Sequence, residues 1–247
     1  RSTYEINNFA KKIFDNSAKY SQVDRHGDEV GLFKQETFNA DEIIARAIEL
    51  KKSYNTVAII CKNISETLLY KEKVQEQKYS NKFRIVTKND NVFVGDKIMI
   101  IPSYLAKGLE FDVVILPFLN WDLQRFFKND ILWCRPKQAP FNQMPLVAIS
   151  PTKKILQTHF KNDYIQEALS QYIDNLNLTY VAFTRPKYRL YAYGQMYSKN
   201  SKGELKINNI GNLLSYLYHK EGEDNTSSQE TQNEEGTFIY HQATTTI

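Results

Sequence analysis

Apolar residues along much of the chain recur at the three-to-four-residue spacing of amphipathic helices. A first helix is predicted to begin at Ser2-Thr3-Tyr4-Glu5, because this string has the Ser-x-x-Glu form of a capping box. A second helix is predicted from about Asn39. Further helices are predicted over about 65–77, from about Tyr164 to Val181, and over 209–219. The spacing therefore predicts five helices.

Short runs of β-branched and aliphatic residues separate these helices. Most of them do not alternate with polar residues, which is typical of strands buried on both faces in a parallel sheet. The predicted strands are Val57–Cys61, Phe83–Thr87, Ile98–Ile101, Val113–Leu116, Arg189–Tyr193 and, more weakly, Leu146–Ile149. The order of strands and helices predicts an α/β fold, with a mostly parallel sheet and helices on both faces.

Two regions depart from this alternation. Residues 117–160 are irregular, and six of the seven prolines lie between Pro102 and Pro151, so we interpret this stretch as an insertion over the sheet. Residues 220–247 contain six acidic residues and one basic residue, and most of the others are Ser, Thr, Gln and Asn. This composition predicts an acidic polar linker or tail. The predicted domain is therefore 1–219, with an insertion at about 117–160 and a tail at 220–247.

The composition predicts a folded domain, and the distribution of charge bears on its partners. The 247 residues are 42% hydrophobic, enough for a substantial core, and carry 32 Lys and Arg against 28 Asp and Glu, a net charge of +4. Because the tail has a net charge of −5, residues 1–219 carry +9. A basic body is compatible with a polyanionic partner, and equally with an ordinary solvated surface.

The cysteines and the chain start suggest a compartment. Cys61 and Cys134 are the only cysteines, which excludes a disulfide framework and favours a reducing, cytoplasmic environment. No run reaches the ~18 apolar residues of a membrane span, so no membrane partner is expected. Residue 1 is Arg and no signal-like segment follows, so we expect the sequence to be part of a longer protein.

Two segments carry the candidate chemistry. The sequence contains neither a G-x-x-x-x-G-K-[ST] phosphate loop nor a G-x-G-x-x-G motif, so this chain is not expected to hold a nucleoside triphosphate by itself. Residues 100–116 place Lys, Gly and Glu in a loop between strands, and strand ends are where open α/β sheets bind ligands. Residues 175–185 deliver an Arg at a helix end, the arrangement of an arginine finger.

These segments resemble motifs of the UvrD/Rep-type superfamily 1 DNA helicases. Lys107-Gly108-Leu109-Glu110-Phe111 resembles their motif V, and Leu178-Thr179-Tyr180-Val181-Ala182-Phe183-Thr184-Arg185 resembles their motif VI. Arg1-Ser2-Thr3 resembles the end of motif IV, and the three occur in the family's order within residues 1–193. The resemblance implies the second RecA-like motor domain, a P-loop NTPase-type fold that lacks the P-loop itself.

The resemblance also implies roles for individual residues. Arg185 and Arg1 would reach the γ-phosphate of ATP as catalytic residues. Glu110 would contact the ribose, with Gly108 and Lys107 completing the ATP-binding part of motif V. This chain is not expected to contribute a metal site of its own.

The same motif is implied to touch single-stranded DNA through Tyr104 and Ser103. Motif V usually has His where Tyr104 stands, and an aromatic ring there could stack on a base for ~1–3 kcal/mol. Within the family, the first half of the chain is closest to the HelD-like branch. The second half is closer to RecB/AddA-type exonuclease helicases.

The resemblance implies an ATP-dependent 3′–5′ DNA helicase or translocase, in which ATP with Mg²⁺ is bound mainly by an N-terminal motor domain of the same parent chain. Expected partners are single- and double-stranded DNA, with a nuclease subunit or RNA polymerase as alternatives, and the role would lie in an exonuclease or recombination-repair complex. The isolated fragment is expected to be inactive as an ATP hydrolase. The alternative is a catalytically inactive helicase-like scaffold or protein-docking module.

Overall fold

The computed structural model describes most of the chain. The described residues are 2–14, 25–28, 30–35, 37–88, 90, 95–127, 129–224, 230–232 and 238–240. The chain divides into two compact units: unit 1 consists of Arg1–Trp121 and Leu178–Ile247, and unit 2 of Asp122–Asn177.

The described residues form the following secondary structure. The helices are α1 (Tyr4–Phe14), α2 (Ala40–Leu50), α3 (Ile64–Glu76), α4 (Lys161–Phe183) and α5 (Ile210–Asp224). The strands are β1 (Gly31–Lys34), β2 (Val57–Cys61), β3 (Phe83–Ile85), β4 (Ile98–Pro102), β5 (Phe111–Leu116), β6 (Leu132–Cys134), β7 (Val147–Ile149), β8 (Pro186–Gly194), β9 (Ser198–Lys199), β10 (Leu205–Lys206), β11 (Glu230–Gln232) and β12 (Phe238–Tyr240). Among the helices of the described residues, none combines the length and the apolar character that crossing a bilayer would require.

Unit 1 is built on a six-stranded sheet in the order β1-β8-β5-β2-β4-β3. All of its strand pairs are parallel. Every residue of β2 and β4 is buried, as expected for unalternating apolar strands that are covered on both faces. The predicted α/β fold with a parallel sheet flanked by helices is therefore confirmed.

Alternate residues of the central strands pack into two layers. On one face, Ile43, Ile44 and Ala47 of α2 and Tyr70 and Val74 of α3 pack against the sheet. The sheet residues on this face include Val57, Ile59, Ile98, Ile100, Val113 and Ile115. Their neighbours on the opposite face, such as Ile60, Ile101 and Val114, are also fully buried. Both faces of the sheet are therefore shielded from water, which is the main source of its stability.

Some sequence predictions differ from the structure. The run at 146–149 is not a strand of the main sheet: β7 pairs antiparallel with β6 in unit 2, and only part of its surface is covered. Three residues between prolines are too few to span a central sheet, although their composition is β-like. The four-residue edge strand β1 was not predicted because it offers only Leu32 and Phe33 as buried apolar residues. Helix α5 ends at Asp224, five residues into the predicted tail.

Side chains of Asn63 and Glu66 cap the start of helix α3. The Glu66 backbone N–H donates to Asn63 Oδ1 (3.0 Å), and the Lys62 backbone N–H donates to Glu66 Oε2 (2.6 Å). The Lys62 carbonyl in turn accepts a bond from Ser103 Oγ (3.1 Å). Glu66 therefore orders the turn after β2 and, through Lys62, the start of the loop after β4.

The capping box predicted at residues 2–5 does not form. Helix α1 begins at Tyr4, and Ser2 Oγ lies 3.4 Å from the Thr184 carbonyl oxygen. Glu5 accepts from the Gly27 backbone N–H at 2.9 Å and lies 2.8 Å from His26 Nδ1. The local pattern paired Ser2 with Glu5, but each of these side chains instead contacts residues that are distant in the sequence.

The position of Glu66 predicts a specific pH dependence of stability. Burial raises the pKa of Glu66 to about 7, so the folded protein holds this proton more tightly than the unfolded chain. Stability is therefore expected to fall as the pH rises from about 4.5 to about 7, by about 1–3 kcal/mol. Glu66→Gln keeps an oxygen that can accept from Lys62 N–H, and should remove this fall in denaturant titrations between pH 5 and 8.

The matched control is Glu72→Gln, which changes an exposed carboxylate on the same helix. It should leave the pH slope of wild type unchanged. Identical slopes for wild type and Glu66→Gln would contradict the assignment of the buried proton to Glu66.

Candidate functional site

The loop that contains the candidate motif V runs along the length of the strands. It goes from the edge of the sheet at which the parallel strands end, the carboxyl edge, to the edge at which they begin, the amino edge. Strand β4 ends at Pro102 and β5 begins at Phe111, both strands are parallel to β2, and β2 lies between them. Parallel strands are usually joined by a dozen or more residues that include a helix, whereas here residues 103–110 make the connection. The loop therefore starts at the carboxyl edge and ends at the amino edge, roughly 16–20 Å away along the strands.

This path corrects one expectation from the sequence. The Lys-Gly-Glu loop was expected at strand ends where open α/β sheets bind ligands, which are the carboxyl ends. Only its first residues, Ser103–Leu105 in a 3₁₀ turn, follow the carboxyl end of a strand. Glu110 directly precedes β5 and so lies at the amino edge of the sheet. A local sequence pattern cannot reveal this, because the edge depends on the direction of the next strand.

Arg185 lies at the amino edge of the sheet, between α4 and β8. Its half-buried side chain donates three hydrogen bonds: from Nε to the Val181 carbonyl (2.9 Å), from Nη1 to the Leu109 carbonyl (3.1 Å), and from Nη2 to Thr184 Oγ1 (2.9 Å). The Arg185 carbonyl accepts from the Phe111 backbone N–H at 3.0 Å. These bonds connect the end of the candidate motif VI directly to the end of the candidate motif V.

The charges around Arg185 are partly balanced. Burial lowers the pKa of Arg185 below its ordinary value, and the negative charge of Glu110 opposes that shift. Glu110 is about half exposed and pairs with Lys187, with 3.5 Å between Nζ and Oε2. An exposed pair of this kind stabilises the fold little, so Glu110 can exchange partners at small cost.

The candidate motif IV residues lie beside the end of motif VI. Ser2 is buried and bonded to the Thr184 carbonyl, one residue before Arg185. The Tyr4 backbone N–H donates to the Arg25 carbonyl at 2.9 Å, and the Gly27 Cα lies so close to Thr3 that an added Cβ would be 2.5 Å from Thr3 Cγ2. Arg1 itself lies outside the described residues. Its neighbour in the chain is nevertheless held at the amino edge.

The carboxyl edge carries the residues predicted to contact DNA. Ser103 is fully buried and its hydroxyl donates to the Lys62 carbonyl, so its side chain is not exposed to a ligand in this structure. Tyr104 is 37% exposed, and Lys88 Nζ lies 6.0 Å from its ring centroid. Lys107 and Gly108 are exposed farther along the loop, and Gly108 has φ +83°.

The predicted site residues therefore separate into two groups. Arg185 and Glu110 lie together at the amino edge of the sheet, whereas Tyr104 begins the loop at the carboxyl edge. Sequence reasoning missed Lys187, which pairs with Glu110, although it lies only two residues after the predicted arginine. It also missed the reciprocal pair between Thr56 and Asp112, in which each backbone N–H donates to the other side chain at 3.0 and 2.7 Å.

No protein-family model and no curated protein matches the chain. Among solved structures, the chain is similar to the C-terminal domain of a possible DNA helicase from Lactobacillus plantarum WCFS1. The two share 20% sequence identity, the alignment covers 79% of this chain and 86% of that chain, and the TM-score is 0.45. A similarity of this size does not identify a function.

The backbone conformation of Gly108 leads to a stability prediction. At φ +83° an alanine would be in the left-handed region, while nothing lies within 4 Å of the added Cβ. Gly108→Ala should therefore lower the free energy of unfolding by about 1 kcal/mol, measured by denaturant titration. Gly203→Ala is the matched control, because Gly203 has φ +79° and equally open surroundings in the β9–β10 turn. A much larger loss for Gly108→Ala than for the control would contradict a purely backbone cost.

Proposed function

We propose that this chain is the second motor domain of an ATP-dependent DNA helicase or translocase of the UvrD/Rep type, with 3′–5′ polarity. The domain would supply an arginine finger and motif V to an ATP site that it shares with a first motor domain of the same parent chain. It would also supply part of the track for single-stranded DNA. The hydrolysis of ATP would therefore need both domains.

The convergence of three motif-like segments at one edge of the sheet carries this proposal. Ser2, Thr184–Arg185 and Leu109–Glu110 are far apart in the sequence, yet hydrogen bonds of 3.4 and 3.1 Å connect them. The guanidinium of Arg185 and the carboxylate of Glu110 would share a nucleotide as their ligand, whereas the buried hydroxyl of Ser2 holds its own segment beside them. The guanidinium would face the phosphates, and the carboxylate the ribose hydroxyls.

Arg185 retains donors for a ligand. A guanidinium has five N–H donors, and three of those in Arg185 are used by acceptors in the described part of the chain. Two donors can then stabilise charge that develops on a transferring phosphoryl group. The three internal bonds would hold the side chain in one orientation, which is the preorganisation that electrostatic catalysis requires.

ATP would supply the phosphoryl group, and the residues of this chain would position and stabilise it from one side only. We assign Mg²⁺ mainly to the first motor domain, because such sites use a phosphate loop that is not in this sequence. Within the described residues, no cluster of three His, Cys, Asp or Glu side chains could hold a metal ion.

The crossing loop offers a physical connection between nucleotide and DNA. Its first exposed side chain, Tyr104, follows β4 at the carboxyl edge, and its last residue, Glu110, precedes β5 at the amino edge. A shift of the nucleotide against Glu110 would act on a short segment whose other end would contact a base. The proposal therefore assigns stacking on DNA to Tyr104 rather than to the buried Ser103.

A second candidate function is a catalytically inactive helicase-like scaffold. The observation in its favour is that the guanidinium of Arg185 already has three partners within its own chain, as a structural arginine would. The two functions differ in what loss of Arg185 does to ATP turnover.

Arg185→Ala in the full-length parent protein tests the motor directly. We expect DNA-stimulated kcat to fall about 10³–10⁵-fold, because the charge on the transferring phosphoryl group would lose its stabilising guanidinium. Arg185→Lys should also lose most of the activity, since a lysine cannot reproduce the forked geometry. Arg84→Ala on the distant edge strand β3 is the matched control and should leave kcat within about twofold of wild type.

Thermal unfolding of the 247-residue chain with the same substitutions separates catalysis from folding. A folded Arg185→Ala chain together with unchanged turnover of the parent protein would reject the arginine-finger role and support the scaffold. A wild-type parent without DNA-stimulated turnover would do the same.

Glu110→Gln tests the proposed ribose contact. Loss of a charged hydrogen-bond acceptor should raise the KM for ATP about 10-fold and leave kcat nearly unchanged, because the contact would be equal in ground and transition states. Steady-state ATPase kinetics of the parent protein measure both, with Glu72→Gln as the matched control. An unchanged KM would contradict a nucleotide contact by Glu110.

A further inference from the structure

Unit 2 contains a stretch of one charge sign. Residues 131–162 include Arg135, Lys137, Lys153, Lys154 and Lys161, and no Asp or Glu. The chain as a whole has nearly equal numbers of acids and bases, so the concentration of positive charge is local. A region of this kind attracts a polyanion by long-range electrostatics.

Part of this charge directly follows an exposed aromatic residue of β6. Leu132 and Cys134 are buried in a small core with Ile155 and Phe160, whereas Trp133 is 60% exposed. Arg135 and Lys137 continue the exposed set, and consecutive members lie about 6.6 Å apart along an extended chain. Trp133, Arg135 and Lys137 are therefore all exposed, at alternate positions of one short segment.

A cavity of about 470 Å³ in unit 2 is lined by Arg135 and Lys137. Phe141 and Phe160 also line it, with ring centroids 5.6 Å apart and planes inclined at 50°. Phe160 belongs to the core of unit 2, while Phe141 is 36% exposed. The volume lies within the range of small-molecule sites, which is sufficient for a nucleobase with its sugar.

Polar groups of mixed type complete the lining. His159 Nδ1 lies 3.1 Å from Gln138 Oε1, and Asn162 and Gln166 add amide groups. Asp163 is the one acid of the lining residues, and a carboxylate can accept a bond from the amino group of a base. The cavity thus offers cations for phosphate, rings for stacking and amides for base edges.

We propose that unit 2 carries a binding site for single-stranded nucleic acid, formed by Arg135, Lys137 and Phe141 at this cavity and by the exposed Trp133 two residues before Arg135 in the chain. Trp133 and Phe141 stack on unpaired bases, while Arg135 and Lys137 contact the phosphates. The inference rests on the proposed function for the choice of DNA as the nucleic acid, and it adds a second contact region to the one proposed at Tyr104.

The combination favours single strands over other polyanions. Stacking on an aromatic ring needs an unstacked base, which a duplex does not offer along its side. An acidic protein would satisfy the positive charge but would leave the base-sized cavity, which the Phe141 ring lines, unused. Alternation of exposed rings with cations is the usual chemistry of single-strand grooves.

Tryptophan fluorescence of the full 247-residue chain gives a direct test. Trp133 is exposed and Trp121, the only other tryptophan, is 2% exposed, so a stacked base should quench Trp133 emission and leave that of Trp121. We expect quenching by an oligothymidylate of about 16 nucleotides. Anisotropy of the fluorescein-labelled oligonucleotide gives the affinity, which Trp133→Ala should lower about tenfold and Trp133→Phe should largely retain.

Charge variants test the phosphate contacts. The double variant Arg135→Gln with Lys137→Gln should reduce the magnitude of the slope of log K against log salt concentration by about 1–2. Lys202→Gln in the exposed β9–β10 turn should leave that slope unchanged. Equal binding of a glutamate polymer and of the oligonucleotide would overturn the proposal by showing a site for any polyanion.

Two further outcomes would also overturn it, and each is distinguishable from failure of the proposed motor function. Oligonucleotide binding that all of these unit 2 variants leave unchanged would move the site elsewhere in the chain. Absence of oligonucleotide binding by the folded wild-type chain would remove the site altogether. In both cases loss of ATP turnover in Arg185→Ala would still support the motor, because that assay does not depend on Trp133.

Discussion

The short connection between β4 and β5 is the constraint on which the candidate site depends. Eight residues must pass over β2 from the carboxyl edge of the sheet to its amino edge, because β4, β2 and β5 are all parallel. A longer helix would need more residues, so the loop consists of one 3₁₀ turn at Ser103–Leu105 and a second turn that contains the glycine at φ +83° and is closed by a bond from Leu109 N–H to the Ala106 carbonyl (3.1 Å). The two ends of the loop are therefore held at opposite edges, each by hydrogen bonds to a neighbouring segment.

Those bonds have different characters at the two edges. At the carboxyl edge, Ser103 is buried and tied to the Lys62 carbonyl, which Glu66 orders in turn through the cap of α3. At the amino edge, Arg185 donates to the Leu109 carbonyl while Glu110 stays exposed. The start of the loop is thus held by a hydrogen bond between uncharged groups. Its end is held by the guanidinium of Arg185, beside the exposed carboxylate of Glu110. The carboxylate at the second end therefore lies outside the buried core.

Unit 2 has a much smaller hydrophobic core than unit 1. Its small core consists of Leu132, Cys134, Ile155 and Phe160, with Val147, Ile149 and Tyr164 packed against it. So few apolar side chains cannot cover both faces of a two-stranded ribbon, and Trp133 therefore remains exposed. The exposed ring is a consequence of this limited core, whereas the positive charge nearby comes from the composition of residues 131–162.

The sequence by itself determined the elements of unit 1 that depend on local periodicity. Strands β2, β4 and β5 are continuous apolar runs, and α2 and α3 have Asn caps before their first turns, so their type follows from neighbours along the chain. Motif-like strings also indicated Arg185 and Glu110 as candidates, although not the edge of the sheet at which they meet.

Tertiary structure decided what depends on partners distant in sequence. Strand β7 pairs with β6 rather than entering the main sheet, Glu5 binds His26 and Gly27 rather than a local cap, and Ser103 is buried. The four-residue strand β1 exists because β8 offers it a parallel partner. A hydrogen bond between residues far apart contributes nothing to the local pattern, whereas hydrophobic periodicity is local by nature. That physical difference separates what the sequence predicted from what only the folded chain established.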